Sequence, residues 1–284
     1  MNRRVFALPV LALVGCLHHA IPKDRSVETT LATPGVAAPL TTPLRVVTFN
    51  VYSRPGHEIA KALRTDRELR HADVIIIVEA HRGATDPCSS ACAVAKELGF
   101  HAVFAPGHVQ GDGPDGVAIV SRVPIRSAEV IELPQFDVHW NDGRRIAMAA
   151  TIDVEGKPVT VYAVHLENRV TVAQRRRQMM PVIEHAKRRS TPVIIAGDFN
   201  TSPFTWINHA IPVPTGTQDD RFEELLRAHG FDTPTAESGA TSRYLGMKLD
   251  AIYTRGFDVG RFAVSDGSAI SDHLALWANM TLRR

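Results

Sequence analysis

Val193-Ile194-Ile195-Ala196-Gly197-Asp198-Phe199-Asn200 sets the pattern for the whole chain. An apolar, β-rich run meets a glycine and ends in a carboxylate and an amide. Similar runs lie on either side, separated by turn residues. They are Leu44–Tyr52, Val74–Val78, His101–Phe104, Val117–Val120, Ile146–Val154 and Val159–His165 upstream, then Leu249–Tyr253 and Leu274–Leu282 downstream. Helical periodicity fits roughly Glu58–Leu69, Ala91–Leu98, Val172–Arg189 and Phe222–His229. In the third of these, Met179, Val182, Ile183 and Ala186 share one face, and Arg175, Arg176, Arg177, Lys187, Arg188 and Arg189 are expected on a solvated cationic face. Many strands with interspersed helices predict an α/β fold of two packed sheets with helices outside. Periodicity alone leaves the topology open.

Polar residues recur where the apolar runs end. Asn50 closes the first, Glu79 follows the second and His165 closes Val161-Tyr162-Ala163-Val164. Asp250 interrupts Leu249–Tyr253, and Asp272-His273 precede Leu274. Singly, each is an ordinary turn or cap residue. Together they form a set that strand ends would hold rigidly. Glu79, Asp198, Asp250 and Asp272 are hard oxygen donors, with Asn50 and Asn200 as neutral ones. Such a set suits Mg²⁺ or Mn²⁺ better than zinc. His165 and His273 are acid–base or charge-stabilising candidates. No Ser, Thr or Cys has a nucleophile-elbow context, which favours attack by water. A hard metal with His and carboxylate points to phosphate-ester hydrolysis.

Composition agrees with a soluble globular protein: 284 residues, 44% hydrophobic, 22% charged. The formal charge is +2, which excludes a strongly basic nucleic-acid wrapper. Arg3 and Arg4, the apolar Val5–Val14 and Gly15-Cys16 read as an export signal over residues 1–15. Leu13-Val14-Gly15-Cys16 resembles a bacterial lipobox, with Cys16 as the lipidation site. Without Arg3 and Arg4 the chain holds 30 residues of each sign and is formally neutral. Residues 16–43, with Pro22, Pro34, Pro39 and Pro43, read as an extended tether. Residues 44–284 are then the folded domain, expected as a monomer on an envelope membrane. Cys88 and Cys92, four apart, suit a local disulfide in an exported domain, or two buried thiols.

The sequence resembles the endonuclease/exonuclease/phosphatase superfamily. Matching segments are Thr48-Phe49-Asn50-Val51, Val78-Glu79, Gly116-Val117-Ala118-Ile119-Val120-Ser121-Arg122 and Val164-His165-Leu166, followed by Gly197-Asp198-Phe199-Asn200, Leu249-Asp250-Ala251-Ile252 and Ser271-Asp272-His273. The resemblance implies a four-layer αββα sandwich. It implies that Glu79 binds Mg²⁺, with Asn50 and Asp272 contributing directly or through water. Asp198 would orient or deprotonate the attacking water, and Asn200 would contact the phosphate. His273, held by Asp250, would be the general base or a stabilising charge. His165 would contact a phosphate oxygen or help the leaving group. Arg145 resembles the family's phosphate-binding Arg, with Arg144 as a rival, and Asp115 is a candidate partner for His165. Substrate choice would lie in the loops Gly107–Asp115, Leu133–Arg144 and Thr201–Arg221, which carry Phe136, His139, Trp140, Phe204, Trp206 and His209. A nuclease is the first expectation. A sphingomyelinase-like hydrolase of phospholipid or inositol-phosphate headgroups is the second. A non-catalytic binding member is the third, and the full set of acids and His argues against it.

Overall fold

The computed structural model describes residues 21–32, 39–136, 144–201, 214–244, 246–265 and 270–284. Twelve strands lie in two sheets among the described residues. They are β1 (Glu28–Thr30), β2 (Leu44–Asn50), β3 (Val74–His81), β4 (His101–Gln110), β5 (Gly113–Ser121) and β6 (Ser127–Glu132), then β7 (Ile146–Val154), β8 (Lys157–His165), β9 (Val193–Asp198), β10 (Asp250–Arg255), β11 (Phe257–Ser265) and β12 (Ala275–Leu282). The helices are α1 (Gly56–Thr65), α2 (Ser90–Leu98), α3 (Val172–Lys187) and α4 (Thr215–Ala228). One sheet runs β1-β4-β5-β3-β2-β12-β11, the other β10-β9-β8-β7-β6.

Side-chain alternation explains the layers. Val46, Ile76, Val78, Ile119, Met148 and Ile194 fill the space between the sheets. Their neighbours Val47, Phe49, Ile75 and Ile77 pack under α1 and α2. On the far side, Tyr162, Val164, Ile195 and Phe199 pack under α3 and α4. Both faces of the central strands are thus buried, which is why they read as unbroken apolar runs. Each such Ile or Val contributes roughly 1.5–3 kcal/mol of burial. The result is the αββα sandwich.

The helix ends are specified locally. Ser89 caps α2 by accepting from the Cys92 N–H, and Thr171 with Gln174 forms a capping box on α3. Cys88 and Cys92 are joined in a disulfide. At Gly197, φ is +149° and an added Cβ would meet the Val164 carbonyl oxygen, so only glycine lets β9 approach β8 there.

Several expectations change. Residues 16–43 are not all tether: β1 pairs with β4, and Leu40 is buried with a bridge to Val154. A short segment without periodicity gains its order from the open edge of β4, not from its own pattern. Residues 107–115 form the tip of the β4–β5 hairpin instead of a free loop. Strands β6 and β11 have no counterpart in the apolar-run reading, since β6 alternates around charged Glu129 and Glu132 at a sheet edge. Helix α4 begins at Thr215, seven residues before its apolar pattern. Cys16, the export signal, His139, Trp140, Phe204, Trp206 and His209 lie outside the described residues. No helix among the described residues is long and apolar enough to cross a membrane.

Candidate active site

The parallel pairs β2–β3 and β8–β9 end at one edge of the sandwich, where β5, β10 and β12 begin. This brings Asn50, Glu79, Asp115, His165, Asp198, Asp250, Asp272 and His273 to the same end. Glu79 sits at a break in the β3–β5 register with φ +56°, so a bulge aims it away from the alternation of its strand. Asn200 is also left-handed, with φ +51°. The side chains converge on a cleft of about 340 Å³ floored by Glu79, His165, Asp198, Asn200, Asp272 and His273.

Asn50 links the two sheets. Its Nδ2 donates to Glu79 Oε1 and to Asp198 Oδ2, each at 3.0 Å, while its Oδ1 accepts from the Tyr52 N–H at 3.1 Å. Its amide nitrogen, not its oxygen, therefore faces the carboxylates. Ser271 Oγ donates to the Asn50 carbonyl at 2.7 Å and accepts from the His273 N–H at 3.1 Å. Asn200 donates its N–H to Asp198 Oδ1 and its Nδ2 to the Leu166 carbonyl, both at 2.8 Å.

His273 Nδ1 donates to Asp250 Oδ2 at 2.8 Å, and Asp250 is fixed by the Thr241 hydroxyl, which accepts from its N–H at 3.0 Å. Burial opposes charge on His273, but Asp250 and Asp198 outweigh it and lift its pKa to about 10. Burial lifts Asp198 to about 7, with Asp250 adding to the rise and His273 and the Asn50 amide restraining it. His165 goes the other way. Burial, then the Arg145 and His273 charges, hold its pKa well below the usual value, so it is neutral. Asp198 Oδ2 lies 3.7 Å from His273 Nε2 and 3.9 Å from His165 Nε2. Both gaps exceed a hydrogen bond.

Arg145 takes the place beside these acids. Burial disfavours its charge, but Glu167 at 2.9 Å, with Glu79 and Asp198, keeps it firmly protonated. Arg144 instead turns to Glu132 and the Pro106 carbonyl. Asp115 does not pair with His165; its Oδ2 accepts from Ser53 Oγ and its Oδ1 is a buried oxygen without a partner. The other correction concerns Arg175, which is fully buried rather than on a solvated face. It donates to the Asn200 carbonyl and to Gln218 Oε1. Glu167 and Gln178 escaped the sequence reading, and the charge pattern places Arg175 on the wrong face. Polar residues on a helix and just past a strand look solvated until the fold covers them.

The donor set fits a hard divalent cation. Burial and the neighbouring Asp272 carboxylate raise the Glu79 pKa, a repulsion that a cation would relieve. Donor atoms of Asp198, Asp250 and His273 also lie within 4.8 Å of one another. There, however, the imidazole is engaged with Asp250 and holds its proton. Glu79 and Asp272 are therefore the better ligands, whereas Asn50, expected beside them, turns its NH2 to Glu79 and its oxygen to the Tyr52 N–H and acts here as an orienting donor.

Fold and site together define a two-sheet hydrolase with acid, amide and imidazole groups at its strand ends. The profile of the Endonuclease/Exonuclease/phosphatase family matches residues 47–273, and the chain belongs to that family. Its members are in general phosphoester hydrolases and typically need a divalent metal. Solved structures with the same fold include an endonuclease/exonuclease/phosphatase from Beutenbergia cavernae, 22% identical, with TM-score 0.66 over 84% of this chain and 72% of that one. An endonuclease/exonuclease/phosphatase family protein from Leptotrichia buccalis is 17% identical, with TM-score 0.67 over 84% and 100%. The human Nocturnin catalytic domain with bound sulfate is 17% identical, with TM-score 0.60 over 84% and 93%. These likenesses show the fold alone. A search of curated proteins finds no match to the sequence.

Proposed function

We propose that the protein is a Mg²⁺-dependent phosphodiesterase that cleaves nucleic acid by attack of water. One observation carries the reading. Asp198 Oδ2 lies 3.7 Å from a charged imidazole nitrogen and 3.9 Å from a neutral one, and all three groups face one cleft, where a water or phosphate oxygen above them could touch each.

Asp198, with a pKa about 7, takes the proton of the attacking water near neutral pH. The water oxygen bonds to phosphorus as the ester P–O bond breaks. His273, already protonated, acts as a fixed positive charge on the pentavalent transition state, and its raised pKa supports this role over that of general base. Arg145 adds a second charge, held in place by Glu167. Neutral His165 and the Asn200 amide hydrogen-bond phosphate oxygens or the leaving group. Mg²⁺, held by Glu79 and Asp272, with Asn50 orienting Glu79, would neutralise phosphate charge as a Lewis acid. All these groups favour the transition state more than the ground state.

The apparent export signal and Cys16 favour a second reading, a phospholipid-headgroup hydrolase held at a membrane. A panel of plasmid DNA, RNA, sphingomyelin and bis-p-nitrophenyl phosphate, with and without EDTA, separates the two. Cleavage of nucleic acid that EDTA abolishes and Mg²⁺ restores is the expected result. EDTA-resistant turnover would overturn the metal assignment, and sphingomyelin-only turnover would favour the second reading. We also propose export as an envelope lipoprotein, checked by radiolabelled lipid incorporation that a Cys16→Ser chain must lose.

A further inference from the structure

We propose that Tyr52 and Tyr244 form an aromatic rim that seats nucleobases beside the scissile phosphate, so that the substrate enters as a single strand. This rests on the nuclease reading above. The chain has four tyrosines, and Tyr162 and Tyr253 are buried in the core. Tyr52 is 58% exposed and Tyr244 65%. Among the described residues, the other exposed large hydrophobics are Ile21 and Leu31, both in the N-terminal segment. Among the described residues past the N-terminal segment, the exposed large hydrophobics are thus these two rings, Tyr52 in the cleft wall and Tyr244 three residues before the cleft-lining Met247.

Tyr52 lines the cleft directly, two residues past Asn50. It and Ser53 are consecutive non-glycine residues in the left-handed region, with φ +51° and +53°. Such a backbone is unfavourable for a bulky side chain and persists only where surroundings enforce it. Here site residues enforce it. The Tyr52 N–H donates to Asn50 Oδ1, the Ser53 N–H donates to the Glu79 carbonyl, and Ser53 Oγ donates to Asp115. The ring gains little burial in return, so packing does not explain the strained conformation. Tyr244 comes from the connection that leads into β10. That loop is fastened to the site through a Ser242–His273 bridge and an Arg243 N–H bond to the Asp272 carbonyl at 2.8 Å. Met247, three residues on, lines the cleft.

Charge supports stacking as the source of affinity. A formal charge of +2 on the whole chain gives little general attraction for phosphates. Exposed rings offer affinity that every base can use through its face. Bases in a duplex are already stacked and paired, whereas those of a single strand can turn outward onto the rim.

The test compares kcat and KM on a labelled single-stranded oligothymidylate, the corresponding duplex and an abasic strand of equal length. Wild type should prefer the single strand over both others. Tyr52→Ala and Tyr244→Ala should each reduce the preference for bases over abasic strand roughly 5- to 100-fold, mainly through KM. Tyr52→Phe should retain it, since the ring is what stacks. An unchanged ratio, or a wild-type preference for duplex, overturns the proposal. So does an equal loss on both strands, which would make Tyr52 a support for Asn50. Wild type that cleaves no oligomer but hydrolyses sphingomyelin vesicles would instead defeat the nuclease reading itself and the proposal with it.

Discussion

Asp198 is 1% exposed and meets an amide, a backbone N–H and two imidazoles. Its folded pKa, about 7, exceeds the ordinary 3.8, because burial disfavours its charge. The folded state therefore binds the proton more tightly than the unfolded state. The stability this gives is fully present below pH 4 and is lost as pH rises towards 7. Asp198→Asn should flatten the fall of Tm between pH 4 and 6.5 in EDTA, a range in which His273 stays protonated. It should also lower turnover about 100-fold or more. Calorimetry beside a diester assay checks both, and an unaltered turnover would remove Asp198 from the chemistry. At this scale the sequence placed the reacting types but not every partner. Arg144 and Arg145 are adjacent and chemically identical, and only the pleat decides that Arg145 faces the acids. Asp115 lost His165 to Ser53 for a similar reason: the Ser53 loop folds back across it.

Helix α3 shows what an element adds beyond its residues. Its apolar face was legible, since Met179, Val182, Ile183 and Ala186 are all buried. Its first turns do something the charge pattern concealed. Arg175 holds the Asn200 carbonyl, and Gln178 Oε1 accepts the Glu167 N–H at 3.0 Å, so one helix end braces both loops that leave β8 and β9. Burial lowers the Arg175 pKa to about 10, still far above neutrality, and Asp198 and Glu167 help to keep the charge. Arg175→Met should leave the Asn200 carbonyl unpaired at a cost of roughly 1–3 kcal/mol. Turnover should fall by about 10-fold or more while Arg175→Lys recovers part of it. Equal activity of the Met variant, measured at a temperature where it is folded, would make α3 a packing element only. Strands β6 and β11 were missed because sheet edges carry polar residues that blur the period of two.

Across the whole molecule, Glu28–Thr30 and Leu40 pack onto the domain. Strand β1 covers part of β4, and Glu28 accepts from Ser89, the cap of α2, while pairing with Arg82. Removal of residues 21–39 should open the β4 edge and uncap that support. The shortened chain should melt several degrees lower and self-associate, as light scattering and calorimetry would report. A chain that stays monomeric with an unchanged Tm would return this segment to the role of a tether. The same scale explains the site. Sheet order places the ends of parallel strands from two sheets at one edge, and residues from Asn50 to His273 meet there.

The sequence by itself determined the layered architecture and which polar residue types end its strands. Unbroken apolar runs require strands buried on both faces, and polar residues after them have no apolar environment to share. What only the tertiary structure decided is which groups touch: Arg145 with Glu167, Asp115 with Ser53, Arg175 with Asn200, and a neutral His165 opposite a charged His273. Hydrophobic patterning is a property of each segment and survives in one dimension. Pairing, protonation and exposure depend on distances between segments, which exist only once the two sheets have closed on each other.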